Sequence, residues 1–126
     1  MSLNEYIEAV KTAVQKLDDY NLSESIESQS DVRKDQTAVL HIKVILIDKS
    51  ELYVREYLDG RDRVTKVSYS YQYQADDKSL LFRYDNSQHK PLLGFEEHKH
   101  QRDGSIIPNP MPSIEAIIDE IMDLFG

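Results

Sequence analysis

The sequence predicts an α+β domain with an amphipathic helix at each end and an antiparallel meander of four to five strands between them. Three observations predict it. Apolar residues recur at helical spacing in the first and last stretches, and the middle alternates with a period of two. The alternating runs are joined by turns too short to hold a crossover helix.

Leu3, Tyr6, Ile7, Val10, Val14 and Leu17 line one side of a helix over residues 3–18, with Glu5, Glu8, Lys11 and Lys16 elsewhere on the wheel. Residues 19–35 are polar and weakly patterned, and read either as a loop or as a short edge strand. From 36 to 47 the alternation is strict. Ala38, Leu40, Ile42, Val44 and Leu46 take one face, and Val39, His41, Lys43, Ile45 and Ile47 the other. Asp48-Lys49-Ser50 supplies a turn. A second strand, 51–58, sets Leu52, Val54, Glu56 and Leu58 against Tyr53, Arg55 and Tyr57, and Asp59-Gly60 signals the next hairpin. The third, 63–74, places Tyr69, Tyr71 and Tyr73 together, opposite Ser68, Ser70 and Gln72. After Asp76, Asp77 and Lys78, the fourth, 79–85, alternates Leu80, Phe82 and Tyr84 with Leu81, Arg83 and Asp85. Residues 86–111 show neither period, carry Pro91, Gly94, Gly104, Pro108 and Pro110, and read as a long loop bearing histidines. Pro112-Ser113 then starts a helix over 112–125, with Ile114, Ile117, Ile118, Ile121, Leu124 and Phe125 as its apolar stripe. No repeat or domain boundary interrupts the 126 residues, which suffice for one core.

The chain has no cysteine, which excludes disulfides, thiolate metal ligands and a catalytic thiol. It lacks a basic, apolar leader and any apolar run long enough to span a membrane, so a cytoplasmic location without membrane association is expected. The net charge of −8 argues against broad attraction to nucleic acid. The excess is confined to the ends, however. Residues 1–35 and 113–126 each carry a net −4, while 36–112 is neutral and holds all four histidines.

Chemistry concentrates near the fourth strand. Three of the four histidines fall within residues 89–100. His98 and His100 share one side of an extended backbone, with Lys99 opposite, and Arg83 and Asp85 share a strand face. Two chemistries suit the set. In one, histidines act as general base and general acid on an RNA phosphodiester, while Arg83 or Lys99 stabilises the phosphoryl oxygens. Imidazole serves because its ordinary pKa of about 6.5 keeps both forms accessible. In the other, Asp85, His89, His98 and His100 bind a divalent metal such as zinc. No further cofactor is expected. Bland readings stand beside both: solvated loop histidines, and a surface ion pair of Arg83 with Asp85. His41 reads as a hydrogen-bonded structural residue, and the tyrosine row as packing rather than a base-stacking platform.

Tyr69 through His100 resembles the TumE-type toxins. The segment contains the tyrosine-rich strand, Phe82-Arg83-Tyr84-Asp85-Asn86, His89 with Pro91, and His98-Lys99-His100; the Pro112-Ser113 lead-in also fits. The resemblance covers roughly residues 36–126. It implies the toxin of a toxin–antitoxin pair, with a helix-turn-helix antitoxin as partner and RNA as a candidate substrate. The family pattern pairs histidines at both positions, with proline nearby. Here His89 is followed by Lys90, Gln88 stands where proline is usual, and Glu96 and Glu97 replace a proline and a histidine. If the absent histidines carry catalysis in relatives, this chain is a degenerate toxin or a non-catalytic binding module. If Arg83, Asp85, His89, His98, Lys99 and His100 carry it, the site is intact.

Overall fold

The computed structural model describes residues 1–87 and 96–125. Helix α1 spans Leu3–Asp19 and opens on a reciprocal cap. Ser2 Oγ accepts from the Glu5 N–H at 3.1 Å, and Glu5 Oε1 accepts from the Ser2 N–H at 3.0 Å. Helix α2 spans Ile114–Phe125, and Ser113 Oγ accepts from the Ala116 N–H at 3.1 Å. Most of each apolar stripe is buried as its spacing predicts: Leu3, Ile7, Val10, Val14 and Leu17 in α1, and Ile114, Ile117, Ile118 and Ile121 in α2, with Tyr6 and Phe125 partly buried. Leu124, expected in the α2 stripe, is exposed in its last turn.

Between the helices lies one antiparallel sheet whose seven strands follow chain order. The strands are β1 (Ser23–Val32), β2 (Thr37–Leu46), β3 (Glu51–Asp59), β4 (Thr65–Gln74), β5 (Leu80–Asp85), β6 (His98–Gln101) and β7 (Ile106–Pro108). The α+β class and the meander hold, but the strand count exceeds the expected four to five. The segment 19–35 contains the ten-residue β1, an edge strand exposed along most of its length, so nothing selects an apolar face in its sequence. The segment expected to be one long loop contains β6, whose four side chains are all polar, and β7, which at three residues is too short to show a period, so neither carries an apolar alternation.

Both helices pack on one face of the sheet. Their stripes join Leu40, Val44, Val54, Leu58, Tyr71 and Phe82 in a single core, and Lys16 bridges to Asp119 at 3.2 Å. Fully burying each such side chain is worth about 1.5–3 kcal/mol, so this face supplies most of the stability. The opposite face is left open, with His41 and Arg55 exposed on it.

Four hairpins share one construction. Asp35, Asp48, Asp77 and Asp103 each accept from the backbone N–H and the hydroxyl of the Thr or Ser two residues on. The residue between them, Gln36, Lys49, Lys78 or Gly104, has a positive φ of 66°, 69°, 72° or 89°. Gly60, just after β3, meets a different demand: a Cβ there would lie 2.7 Å from Leu3 Cγ, so α1 sits close because that side chain is missing.

Candidate functional site

Strand register decides which side chains meet. Across the open face, His41, Arg55, Ser70, Asp85 and His98 are successive Cα partners on β2 to β6. Lys43, Tyr53, Gln72, Arg83 and His100 form the neighbouring row. The alternation that pairs Arg83 with Asp85 on β5 and His98 with His100 on β6 therefore brings all four together where the rows end.

Asp85 is the hub. Its side chain is 6 % exposed, and Arg83 Nε lies 2.9 Å from Oδ2. His98 Nε2 is in close contact with Oδ1, and His100 Nε2 stands 3.9 Å from Oδ2. Neither Arg83 Nε nor Asp85 Oδ1 has a well-aligned hydrogen bond, so the Arg83–Asp85 contact is charge pairing rather than a directed N–H···O bond.

The two imidazoles are held in opposite roles. His98 Nδ1 lies 2.7 Å from the Glu96 carbonyl. A carbonyl only accepts, so Nδ1 carries a proton and Nε2 is the nitrogen turned to Asp85. His100 Nε2 lies 3.0 Å from Arg83 Nη2. A guanidinium only donates, so this nitrogen is the acceptor and the ring is neutral. The rings stand 5.0 Å apart, tilted by 68°. The His98 side chain is 0 % exposed, whereas 13 % of His100 and 33 % of Arg83 reach solvent. A substrate could therefore touch His100 and Arg83, with Asp85 and His98 behind them.

The remaining sequence candidates fall elsewhere. Lys99 lies on the helix-covered face, where it donates to Glu120 at 3.1 Å. Burial pulls its ammonium down, but the Tyr84 hydroxyl and Glu120 outweigh that and hold it above its ordinary range. His89 lies outside the described residues. Tyr69, Tyr71 and Tyr73 are buried packing residues. His41, expected to be a hydrogen-bonded structural residue, is exposed, and its side chain makes no hydrogen bond among the described residues.

Two features escaped the sequence reading. Beneath the helices, Glu56 accepts from Tyr6 at 2.8 Å and from Tyr71, with Lys66 Nζ 3.7 Å away. Burial pushes the Tyr6 and Tyr71 phenols up, and Glu56 adds to it. Burial also draws the Lys66 ammonium down against the pull of Glu56. Alternation places Glu56 on an apolar face and so flags it, although its partners are long-range. The second feature is a trough of about 920 Å³ on the open face, lined by His41, Tyr53, Arg55, Tyr57, Ser70 and Arg83 among others.

The description Toxin TumE is that of a family model matching residues 13–125. No curated protein and no solved structure matches the chain.

Proposed function

The chain belongs to the TumE toxin family, and on that premise we propose that this toxin acts on RNA by general acid–base catalysis at the rim formed by Arg83 and His100. The 3.0 Å contact of Arg83 Nη2 with His100 Nε2 carries the reading. It sets a neutral imidazole beside a cation, partly exposed, on a buried Asp85–His98 support. His100 Nε2 takes the 2′-hydroxyl proton as that oxygen attacks phosphorus. Arg83 turns its donors to the phosphoryl oxygens, where charge builds. The 5′-oxygen leaves with a proton, returned by the His100 imidazolium or supplied by His89, the sequence's other candidate. Asp85 and His98 act as positioning residues. An antitoxin partner is implied by the family, and a helix-turn-helix protein is our candidate.

The test is induced expression in a bacterial host, following growth and RNA integrity for the wild type and for His100→Ala, with folding checked by thermal melting. Removing a general base of this kind costs about 10²–10⁴-fold in rate, so arrest and RNA loss should be confined to the wild type. Arrest by a folded His100→Ala would discard the site, and arrest with intact RNA would discard RNA as the target.

One observation favours a second reading. Asp85, His98 and His100 offer three ligand atoms within 4.8 Å of one another, and the Glu96 carbonyl on His98 Nδ1 is the orienting bond that metal-bound imidazoles use. The donor set suits a divalent ion such as zinc, held for structure or for binding without catalysis. Against it, Arg83 aims a guanidinium at the same His100 nitrogen. Stoichiometric zinc, lost from His98→Ala with a lowered Tm, would favour this reading.

A further inference from the structure

Away from the Arg83–His100 rim, the open face of the sheet has no role in the chemistry above, yet it is continuous with it. The two rows of register partners that end at Asp85–His98 and Arg83–His100 begin at His41 and Lys43 and run through Arg55 and Tyr53. Tyr53, Arg55 and Tyr57 alternate on β3 and therefore project to the same side, at the middle of the trough. Both tyrosines are half-buried and Arg55 is exposed. Lys43 lies over the Tyr53 ring, 5.6 Å from its centre, and is balanced by Glu51 at 3.7 Å. The Arg55 side chain has neither an ion pair nor a hydrogen bond among the described residues. A chain of net charge −8 thus keeps an uncompensated cation between two tyrosines, on a line leading to His100.

We propose that this face is a track for single-stranded RNA, with Tyr53 and Tyr57 as stacking platforms for bases and Arg55 as a phosphate contact, delivering the strand to the Arg83–His100 rim. The proposal rests on the RNA-acting reading above. From β3 to β6 the path crosses three strand spacings, roughly 14 Å at ~4.8 Å each, which admits a short extended segment. Aromatic rings beside cations accept any base and favour unpaired strands, because a duplex hides its base faces. The core of a protein interface would be depleted of charge, whereas this centre holds Arg55 among Ser68, Ser70 and Gln72. Acidic groups on the same face do not oppose the path: Glu51, which accepts from Tyr53, is paired with Lys43 and Lys78, Asp59 with Arg61 and Asp85 with Arg83, while Glu27 and Asp31 lie on β1, beyond its far end.

The experiment measures anisotropy of a short fluorescent 2′-O-methyl single-stranded oligonucleotide, which lacks the attacking hydroxyl, against the full chain. Arg55→Glu should weaken binding about tenfold or more, Tyr53→Ala and Tyr57→Ala by about five- to tenfold each, and Lys34→Glu, in the distant β1–β2 turn, by less than about twofold. Arg55→Gln should also lower the slope of log affinity against log salt by about 0.7, the loss of one phosphate contact. Since Arg55 is exposed, its variants test the track even where a tyrosine variant misfolds. Equal binding of wild type and Arg55→Glu, in a toxin that depletes RNA in cells, would overturn the track and leave the RNA reading standing. A wild type that binds no single strand and leaves RNA intact would overturn both. Tighter binding of duplex, or loss of antitoxin binding alone in Arg55→Glu, would reassign the face.

Discussion

Each face of the sheet holds a buried carboxylate, and the two are built differently. Glu56, whose side chain is 0 % exposed, sits under both helices and accepts hydroxyl hydrogen bonds from Tyr6 and Tyr71, with Lys66 as its counter-charge. Asp85 is crowded by Arg83, His98 and His100, yet Oδ1 has no aligned hydrogen bond and two of its partners reach solvent. A carboxylate saturated by donors in a sealed interior has nothing left to offer a ligand, so its role is to hold the helices and sheet together. A carboxylate that orients polar groups toward the surface leaves those groups free for chemistry. Both are ion pairs within one fold; the difference lies in where the remaining hydrogen-bonding capacity points.

The strongest way to break this comparison is to remove the counter-charge from the covered cluster. Lys66→Met strands a buried Glu56 and should cost about 3–5 kcal/mol of folding stability, read as a fall in denaturation midpoint. Adding Glu56→Gln, which keeps an acceptor for Tyr6 and Tyr71 but no charge, should restore most of that loss. Toxicity per folded molecule should be unchanged in both. A Lys66→Met protein of wild-type stability would show that the covered cluster does not hold the fold.

Asp85→Asn sharpens the other side. The amide keeps the shape and leaves Arg83 partly solvated, so stability should fall by no more than about 1 kcal/mol. RNA loss in cells should nevertheless drop about tenfold or more, because nothing then fixes the Arg83–His100 geometry. If Asp85→Asn instead destabilises as much as Lys66→Met while its activity stays intact, Asp85 is another structural carboxylate and the contrast between the faces disappears.

Much of this was legible in the sequence, for identifiable reasons. Both helices announced themselves by their stripes, the last one also by its Pro112-Ser113 start, and β2 to β5 by alternation against a buried face. The pairing of Arg83 with Asp85, and of His98 with His100, also followed from alternation. That all four meet did not, because β6 presents polar side chains on both faces and its register with β5 spans a segment that carries no pattern. Likewise, β1 is solvated along most of its length, so no hydrophobic pattern marks it. The place of Lys99 was contained in the alternation itself, since neighbours of His98 and His100 must point the other way. The Asp-x-Ser/Thr turn that builds four of the hairpins was read as a turn at Asp48-Lys49-Ser50 and in part at Asp76-Asp77-Lys78, whereas at Asp35 and Asp103 it lay in segments without a period and went unread.

The smallest expected effect concerns a third carboxylate, Glu51, at the start of β3. Lys78 and Tyr53 donate to it, Gln74 adds a weaker contact at 3.3 Å, and Lys43 stands 3.7 Å away. The Lys78 hydrogen bond, followed by that of Tyr53, holds its carboxyl well below the usual 4.5, at about 2. In the unfolded chain Glu51 takes up a proton near pH 4.5, while in the folded protein it stays ionised down to about pH 2. Between those values the unfolded state binds more protons, so stability is fully present above the window and is lost as pH falls through it. Glu51→Gln should therefore flatten, without abolishing, the acid limb of stability against pH. Asp35, Asp77 and Asp103 in the turns are also held low by their Thr or Ser partners, and they keep part of the slope. Lys78 is 67 % exposed, so salt should erode this contribution while leaving that of the sealed Glu56–Lys66 pair. Equal acid slopes for wild type and Glu51→Gln would mean that surface donors do not hold a carboxylate as interior ones do. Glu51 would then cease to be an intermediate case between Glu56 and Asp85.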